Sequence, residues 1–500
     1  MKKKLSKISV LLVLMLTLAV CFAFGASAEE TTYTEGYYTY TVTDGKATIT
    51  AVDIAISGDI TTPATLGGYP VTVIGKQAFQ HCSDITSVVI SEGVEVIELD
   101  AFYDCSALES ATLPESLTTL GSSPFLFTNM KELAIPKNVS DIGAGAFLGV
   151  FTDKIVVDEE NPYYSTDEYG VLFNEDKTTL IAWPALCSEV NYTVPDTVKK
   201  INFAAFSYVL RLEAVTLPEG LEEIGEVAFG LSGIKSINIP ASVKTIHEDA
   251  FVSAFDLEEI IVDEDNAYFS SEDGVLFNKD KTSLLCYPEG KTDREYTIPE
   301  TVTSLYDCFS SALYLRKLTF SNNVDVLDSS GSHGLLTDIV FEENVTKISG
   351  NLIDSIGFKK NVYIKGMNVE MPEVVPYTKN SFETYFVSHG GDPDTYAEKT
   401  KEMYKKIYGT PISEAEASAY QDEWDSKYSF EYLDDYVVNA EIICHSDSTA
   451  AAYAQENGIP YTTKCFYGEP DAEGTLKCSG CDNTTNYYHN ENESIENGFV

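Results

Sequence analysis

A short motif, Ile-Gly-x-x-Ala-Phe, recurs through this chain in a fixed frame, and that recurrence constrains the fold more than any other feature of its 500 residues. It stands at Ile74-Gly75…Ala78-Phe79, Ile97…Ala101-Phe102, Leu120-Gly121…Phe125 and Ile142-Gly143…Ala146-Phe147, with leads 23, 23 and 22 residues apart. It resumes at Ile201…Ala205-Phe206, Ile224-Gly225…Ala228-Phe229 and Ile246…Ala250-Phe251, then fades through Leu305, Leu327 and Ile348. One such unit is too small to bury its own apolar face. Neighbours must therefore stack, which predicts a solenoid.

Each unit also carries a β-rich run that ends at a proline: Leu108 to Leu113-Pro114, Leu133 to Ile135-Pro136, Leu212 to Leu217-Pro218, and Ile234 to Ile239-Pro240. Period-2 alternation puts Ala111 with Leu113, and Val215 with Leu217, on one face. The opposite face then carries Ser110, Thr112, Glu132, Thr216, Ser236 and Asn238. In the Ala-Phe pair the small residue lets backbones approach and the ring supplies bulk to the inside of the coil.

Two steps are long. Ile142 to Ile201 and Ile246 to Leu305 each span 59 residues, and they share a sequence: Val157-Asp158-Glu159-Glu160-Asn161 against Val262-Asp263-Glu264-Asp265-Asn266, then Gly170-Val171-Leu172-Phe173-Asn174 against Gly274-Val275-Leu276-Phe277-Asn278. These read as β-hairpin insertions, turning at Asn174-Glu175-Asp176-Lys177 and Asn278-Lys279-Asp280-Lys281, that decorate one face of the solenoid.

At the N-terminus, Lys2, Lys3, Lys4 and Lys7 precede an apolar run from Ile8 to Phe24 and the small-residue stretch Gly25-Ala26-Ser27-Ala28. This is the pattern of a secretory signal peptide cut before Glu29. A lipobox at Leu18-Ala19-Val20-Cys21 fails on bulky Val20, and the C-terminus has neither a sorting motif nor a hydrophobic stretch. Losing four lysines takes the formal charge from −45 to −49. So negative a chain is a poor partner for nucleic acid or anionic membrane, which need Lys and Arg to displace counterions.

The combined features resemble the BspA-like bacterial surface-antigen leucine-rich-repeat family from about Thr31 to Ile459. The likeness includes the hairpin Tyr38 to Ala51 turning at Asp44-Gly45, the entry Gly67-Gly68-Tyr69-Pro70-Val71, the Ala-Phe-x-x-Cys frame at Cys82 and Cys105, and the closing run Ser448 to Ile459. The expected fold is a mainly β repeat solenoid of leucine-rich-repeat coils of 22–23 residues, with two β-hairpin insertions and a small C-terminal helical hairpin. The expected organisation is a leader at 1–28, an N-terminal β-hairpin cap at 29–66, and a solenoid at 67–365 with insertions at about 157–195 and 262–299. A mixed segment with the helical hairpin follows at 366–440, then a closing repeat at 441–463 and a Cys-containing acidic tail at 464–500. The hairpin is drawn at Tyr396 to Tyr408 and Ser413 to Tyr428, where Ser413-x-x-Glu416 is a capping box and Ala417, Tyr420 and Trp424 form an apolar stripe. Beyond Leu305 the chain departs from the family pattern, because the Ala-Phe pairs vanish.

The resemblance implies a secreted or surface-displayed protein that binds an extracellular protein or a cell-surface ligand on a host or neighbouring cell. The charge, the absent catalytic motifs and the lack of a later long apolar run add the expectation of no catalysis, no nucleic acid, no cofactor and no membrane span in the mature chain. The six outward strand residues, Ser110, Thr112, Glu132, Thr216, Ser236 and Asn238, are the candidate ligand-facing surface. The rival readings are a self-associating envelope or matrix protein and a solenoid carrying a hydrolase in Phe382 to Tyr436.

Little else points to chemistry. Ten cysteines become nine after processing, so a complete set of disulfides within one chain is excluded. Cys82 and Cys105 share a register position in adjacent coils, where a disulfide is sterically conceivable, and they read rather as compact buried residues. In the tail, Cys465, Cys478-Ser479-Gly480-Cys481 and His489 leave disulfide, zinc clip and free thiols all open, and no metal is assigned, because a lone CxxC is half a zinc ribbon. The acidic loops at Asp158 and Asp263 lack the alternating spacing that wraps calcium and read as solvated turns. The six histidines, His81, His247, His333, His389, His445 and His489, form no HExxH and flank no nucleophile motif, so no catalytic residue is named.

Overall fold

The computed structural model describes residues 31–247, 249–305, 309, 312–326, 336–348, 361–371, 441–444, 448–457, 461–463, 475–477 and 484–486. They fall into two compact units, one ending at Gly274 and the other starting at Val275. Both are built from β-coils, and the mainly β repeat solenoid expected from the period is what each unit displays. The leader and the proposed helical hairpin at 396–428 lie outside the described residues.

In the first unit, strands Thr32–Glu35, Tyr38–Thr43 and Lys46–Val52 form an antiparallel entry, with Asp44 and Gly45 left-handed (φ 52° and 76°) in the tight turn. The last of them starts a parallel ladder of short rungs that registers Ile49, Ile74, Ile97, Leu120 and Ile142, four of them fully buried. On the far side of each coil run the longer strands, most of them ending at a proline, in ladders Gly58–Thr61, Ile85–Val89, Ser110–Thr112 and then Glu132–Ile135, Lys154–Val157.

Between rung and strand sits the Ala-Phe turn. The residue before the small one is left-handed at Gln77, Asp100 and Val227 (φ 57°, 55° and 56°). This winding aims amide N–H groups at the next coil: Phe79 N donates to Ala101 O, Phe102 N to Pro124 O, Phe206 N to Ala228 O and Phe229 N to Ala250 O, all at 2.7–2.8 Å. The rings stack in columns, Phe79 on Phe102 at 4.5 Å, Phe102 on Phe125 at 5.2 Å, and Phe229 on Phe251 at 5.7 Å. The glycine of the motif is a matter of backbone clearance. A Cβ on Gly225 would stand 2.8 Å from the carbonyl carbon of Asn202 and 2.9 Å from Ile201 O, because Gly225 N donates to that same oxygen.

The long steps differ from a plain hairpin on the surface. Tyr164–Thr166, Leu172–Asn174 and Thr179–Ala182 make a three-stranded antiparallel meander, and its third strand is itself a rung, pairing in parallel with Lys200–Ile201 so that Leu180 registers with Ile201. In the second unit Leu284 registers with Leu305 in the same way. The frame thus resumes 21 residues before the next visible lead in both places, hidden because neither Leu180 nor Leu284 is followed by Gly or Ala-Phe. From Gly170 onward the two elaborations match at an offset of 104 residues, Gly170 with Gly274, Asn174 with Asn278, Leu180 with Leu284 and Trp183 with Tyr287, while Asn161 with Asn266 and Tyr163 with Tyr268 stand 105 apart.

The second unit keeps the coil after the Ala-Phe pairs stop. Its strand ladder runs Glu295–Ile298, Lys317–Phe320, Asp338–Phe341, Asn361–Ile364, Glu441–Cys444 and Tyr461–Thr463, all parallel. The stacked rings have moved onto it: Phe320 and Phe341 are buried in register at 5.1 Å. The expected lead at Leu327 is corrected to Val326, which is the residue that pairs with Leu305. The closing run forms a helix, Thr449–Asn457, with Ser448 as its N-cap (Ser448 Oγ accepts from Ala451 N at 3.2 Å) and Ala450, Ala451 and Ala454 buried.

Candidate functional site

The six outward residues follow directly from strand alternation. In Ser110–Thr112 and Ser236–Ile239 the apolar residues point into the coil, and Ser110, Thr112, Glu132, Thr216, Ser236 and Asn238 are all exposed. They form two groups. Ser110 registers with Ser87 and Thr112 with Val89 in one ladder, while Glu132 registers with Lys154 in the adjoining pair of strands. Ser236 lies between Ala214 and Glu259 in a separate four-stranded ladder, with Thr216 and Asn238 two residues along their strands from that row.

The first elaboration separates the groups. Its Gly170 (φ 78°) packs on Lys154–Val157, where a Cβ would meet Lys154 Cγ at 2.7 Å and Ile155 N at 3.0 Å. In the second elaboration, Gly274 O accepts from Ile260 N at 2.9 Å on the last strand of the four-stranded ladder. The strands Lys154–Val157 and Glu259–Val262 therefore each end their ladder under a meander turn.

Alternation alone misses two apolar members of this face. Val89 and Ile261 are 43% and 44% exposed, and each sits in an outward position, Val89 beside Thr112 and Ile261 beside Asn238. Hydrophobicity assigns such residues to the core, and nothing in their own strands marks them as exposed. Asp59 is the other addition. It accepts from Ser87 Oγ at 2.6 Å and Thr86 Oγ1 at 2.9 Å, and these hydrogen bonds hold its carboxyl below the usual carboxylate range. Coil-to-coil ion pairs flank the strands at 22-residue spacing, Lys131 with Glu109 at 3.0 Å and Lys235 with Glu213 at 2.5 Å. Exposed to water, such pairs set register more than they stabilise.

The other sequence candidates resolve into structural roles where they are described. Cys82 and Cys105 are buried free thiols, and Cys105 Sγ donates to Phe79 O at 3.2 Å. Burial pushes the Cys82 thiol up to about 11 and raises the Cys105 thiol well above its usual value. Asp158 and Asp263 each accept from the amide two residues on, Glu160 N and Asp265 N, which is an Asx turn. His81 Nδ1 lies 3.0 Å from the buried Asp104 carboxylate, and His247 Nε2 lies 3.5 Å from Glu223. Among the described residues no three His, Cys, Asp or Glu side chains are grouped to hold a metal. Cys465, Cys478, Cys481, His333, His389, His445 and His489 lie outside them, as does Phe382 to Tyr436.

Parallel rungs, proline-ended strands and a 22–23-residue frame define the class: a leucine-rich-repeat β-solenoid. The model of the BspA type leucine rich repeat region matches the chain in six copies, over residues 65–164, 185–278 and 291–371, and the chain belongs to that family. Among solved structures, a leucine rich cell surface protein of Faecalibacterium prausnitzii A2-165 is 23% identical, covering 69% of this chain and 96% of its own, with a TM-score of 0.37. The pneumococcal vaccine antigen PcpA is 21% identical, covering 69% and 99%, also at 0.37. A leucine-rich repeat protein of Eubacterium ventriosum ATCC 27560 is 21% identical, covering 71% and 98%, at 0.37. No curated protein matches the chain. Among the described residues no helix is long and apolar enough to cross a membrane.

Proposed function

We propose that this chain is a non-catalytic protein, exported by its N-terminal leader, that binds an extracellular protein or a ligand on a host or neighbouring cell surface. The observation that carries the reading is the outward face of the strand ladders. It holds small hydroxyl residues in register, Ser87 with Ser110 and Thr193 with Thr216, interrupted by exposed Val89 and Ile261. A ladder of this kind presents many weak contacts on a backbone already in place, and its small side chains lose little rotamer entropy on binding, which suits a large ligand. Membership of the BspA type family supports the same reading.

The test is capture of purified surface and matrix proteins by the full chain, by a version ending at Thr463, and by a Thr112→Arg, Ser236→Arg double variant. Saturable capture by the first two, lost in the third, is the expected result. Capture lost with the tail moves the function to residues 464–500. A second reading, self-association, has its own support: Thr32–Glu35 and Tyr461–Thr463 are terminal strands of their sheets, paired on one side among the described residues. Concentration-dependent assembly with no capture of any partner would favour it and sink the first.

A further inference from the structure

Where the first elaboration leaves the coils, the Asp158 turn and the turns of the two preceding coils enclose an open groove of about 460 Å³, within the roughly 300–1,000 Å³ range of small-molecule clefts. Its floor is made by Ser116 and Thr118 from one coil and by Asn138 and Ser140 from the next. Most donors of this floor are already committed to the backbone; Asn138 Nδ2 keeps a second N–H, and Ser116 Oγ also accepts from Gly93 N at 2.9 Å. Ser116 Oγ donates to Val94 O at 2.8 Å, Thr118 Oγ1 to Glu95 O at 3.1 Å, Ser140 Oγ to Thr118 O at 3.5 Å, and Asn138 Nδ2 to Glu115 O at 2.7 Å. What remains for a ligand is mostly acceptor capacity: hydroxyl lone pairs and the Asn138 Oδ1. One wall is the Lys137–Glu160 ion pair at 3.1 Å, whose two charges offset each other.

The other wall is Tyr163, half exposed and held ready. Buried Asn161 donates through Nδ2 to Pro136 O at 2.8 Å and Val139 O at 3.0 Å, and its Oδ1 accepts from Tyr163 N at 2.8 Å and Tyr164 N at 3.0 Å. The backbone that carries the ring is thereby fixed to the coils beneath it before any ligand arrives, which lowers the ordering cost of binding.

A ligand for this groove must bring hydrogen-bond donors, carry no net negative charge, and offer a flat face of polarised C–H bonds to an aromatic ring. Anions meet acceptors on a chain of formal charge −45, and an apolar side chain would leave the floor unpaired. We propose that the groove binds a neutral saccharide, stacked on Tyr163, with its hydroxyls donating to the Ser116, Thr118, Ser140 and Asn138 oxygens and to Glu160, and accepting from the Lys137 ammonium. This is a separate site from the strand face.

The second elaboration supplies an internal control. It repeats the bracket, Asn266 Nδ2 donating to Pro240 O and Val243 O and Oδ1 accepting from Tyr268 N and Phe269 N, and it presents Tyr268, 52% exposed. The equivalents of Thr118 and Ser140 are Glu222 and Lys244, an ion pair at 2.6 Å, so the acceptor floor is not repeated.

The experiment is saturation-transfer NMR on the purified full chain with maltotetraose, cellotetraose, chitotetraose and mannotetraose, and with trigalacturonate as the anionic comparison. The expected result is saturation of at least one neutral tetrasaccharide, with millimolar affinity. Affinity falls at least tenfold in Tyr163→Ala and severalfold in Glu160→Gln, and is unchanged in Tyr268→Ala, with all three variants melting within a few degrees of the parent. No binding of any neutral member, a preference for trigalacturonate, or equal losses at Tyr163 and Tyr268 would each overturn it.

Discussion

Phe206 and Phe229 lie one above the other in consecutive coils, their ring planes 3° from parallel and their centroids 5.1 Å apart. Both are fully buried, and Phe206 N donates to Ala228 O at 2.7 Å, so the backbone bond between coils and the ring stack are fixed by the same turn. The ring spacing is close to the rise of one parallel strand to the next, which is why an aromatic at this position is compatible with the repeat in coil after coil.

Truncating the middle ring tests this directly. Phe229→Ala removes contacts to both Phe206 and Phe251 and should cost about 3–5 kcal/mol, with Phe229→Leu costing less than half of that. Urea unfolding followed by hydrogen exchange should place the loss in the coils from Ile201 to Phe251. A loss below about 1 kcal/mol would mean that the coil collapses around the gap at no penalty.

Two neighbouring glycines separate clearance from conformational entropy. Gly225→Ala drives a Cβ into the Asn202 carbonyl carbon at 2.8 Å and should destabilise by about 1–3 kcal/mol. At Gly220 the nearest atom to an added Cβ is Asp196 O at 3.6 Å, and Gly220→Ala should be neutral or raise the melting temperature slightly. Thermal melts of the two variants decide it, and equal effects would refute the clearance argument.

Asn266 is wholly buried and makes four hydrogen bonds at 2.8–3.0 Å, two donated and two accepted. Asn266→Ala should cost about 2–4 kcal/mol, since it strands the Val243 carbonyl and the Tyr268 and Phe269 amides, while Pro240 O keeps its bond from Val243 N. Asn266→Asp should be worse at neutral pH, where a carboxylate has nothing to donate to Pro240 O and Val243 O, and should recover in part on acidification as the carboxyl regains a proton. A variant equally stable at pH 4 and pH 8 would contradict this.

The thiols give a pH dependence of known sign. Cys82 is raised from 9.0 to about 11 by desolvation, so its neutral form contributes stability that is fully present below pH 9 and is lost as pH rises toward 11, where the unfolded chain has already released its proton. Near pH 8, Cys82 and Cys105 should resist iodoacetamide in the native protein and react when it is denatured, as mass spectrometry of the alkylated peptides can show. Rapid native labelling at Cys105 would break the assignment of a closed coil.

Much of this architecture was legible because period and clearance act on single residue types. Ile74, Ile97, Leu120 and Ile142 announce their register by spacing, and the Ala-Phe turn announces the ring column. Leu180 and Leu284 went unseen because the meander strands that precede them hold the rung in place without Gly or Ala-Phe. Phe320 and Phe341 were hidden by a change of side: the rings shifted from the turn to the strand, so the motif vanished while the coil persisted. The candidate face was legible as alternation at Ser110, Thr112 and Ser236. Val89 and Ile261 were not, since nothing local distinguishes an apolar residue facing solvent from one facing the core. The Tyr163 groove depends on Asn161 reaching Pro136 and Val139 across more than twenty residues, a relation that composition does not carry.

The 104-residue offset that relates Gly170 to Gly274 and Leu180 to Leu284 also describes how such a gene can change. Unequal crossing-over between the two copies would delete or add one whole cassette of coils and meander, joining a rung like Ile201 to the position of Leu305 without altering any turn. A length change by this route would come in steps of one cassette, and each added cassette would arrive with its own aromatic-bearing loop, free to diverge at the positions where Thr118 and Ser140 already differ from Glu222 and Lys244.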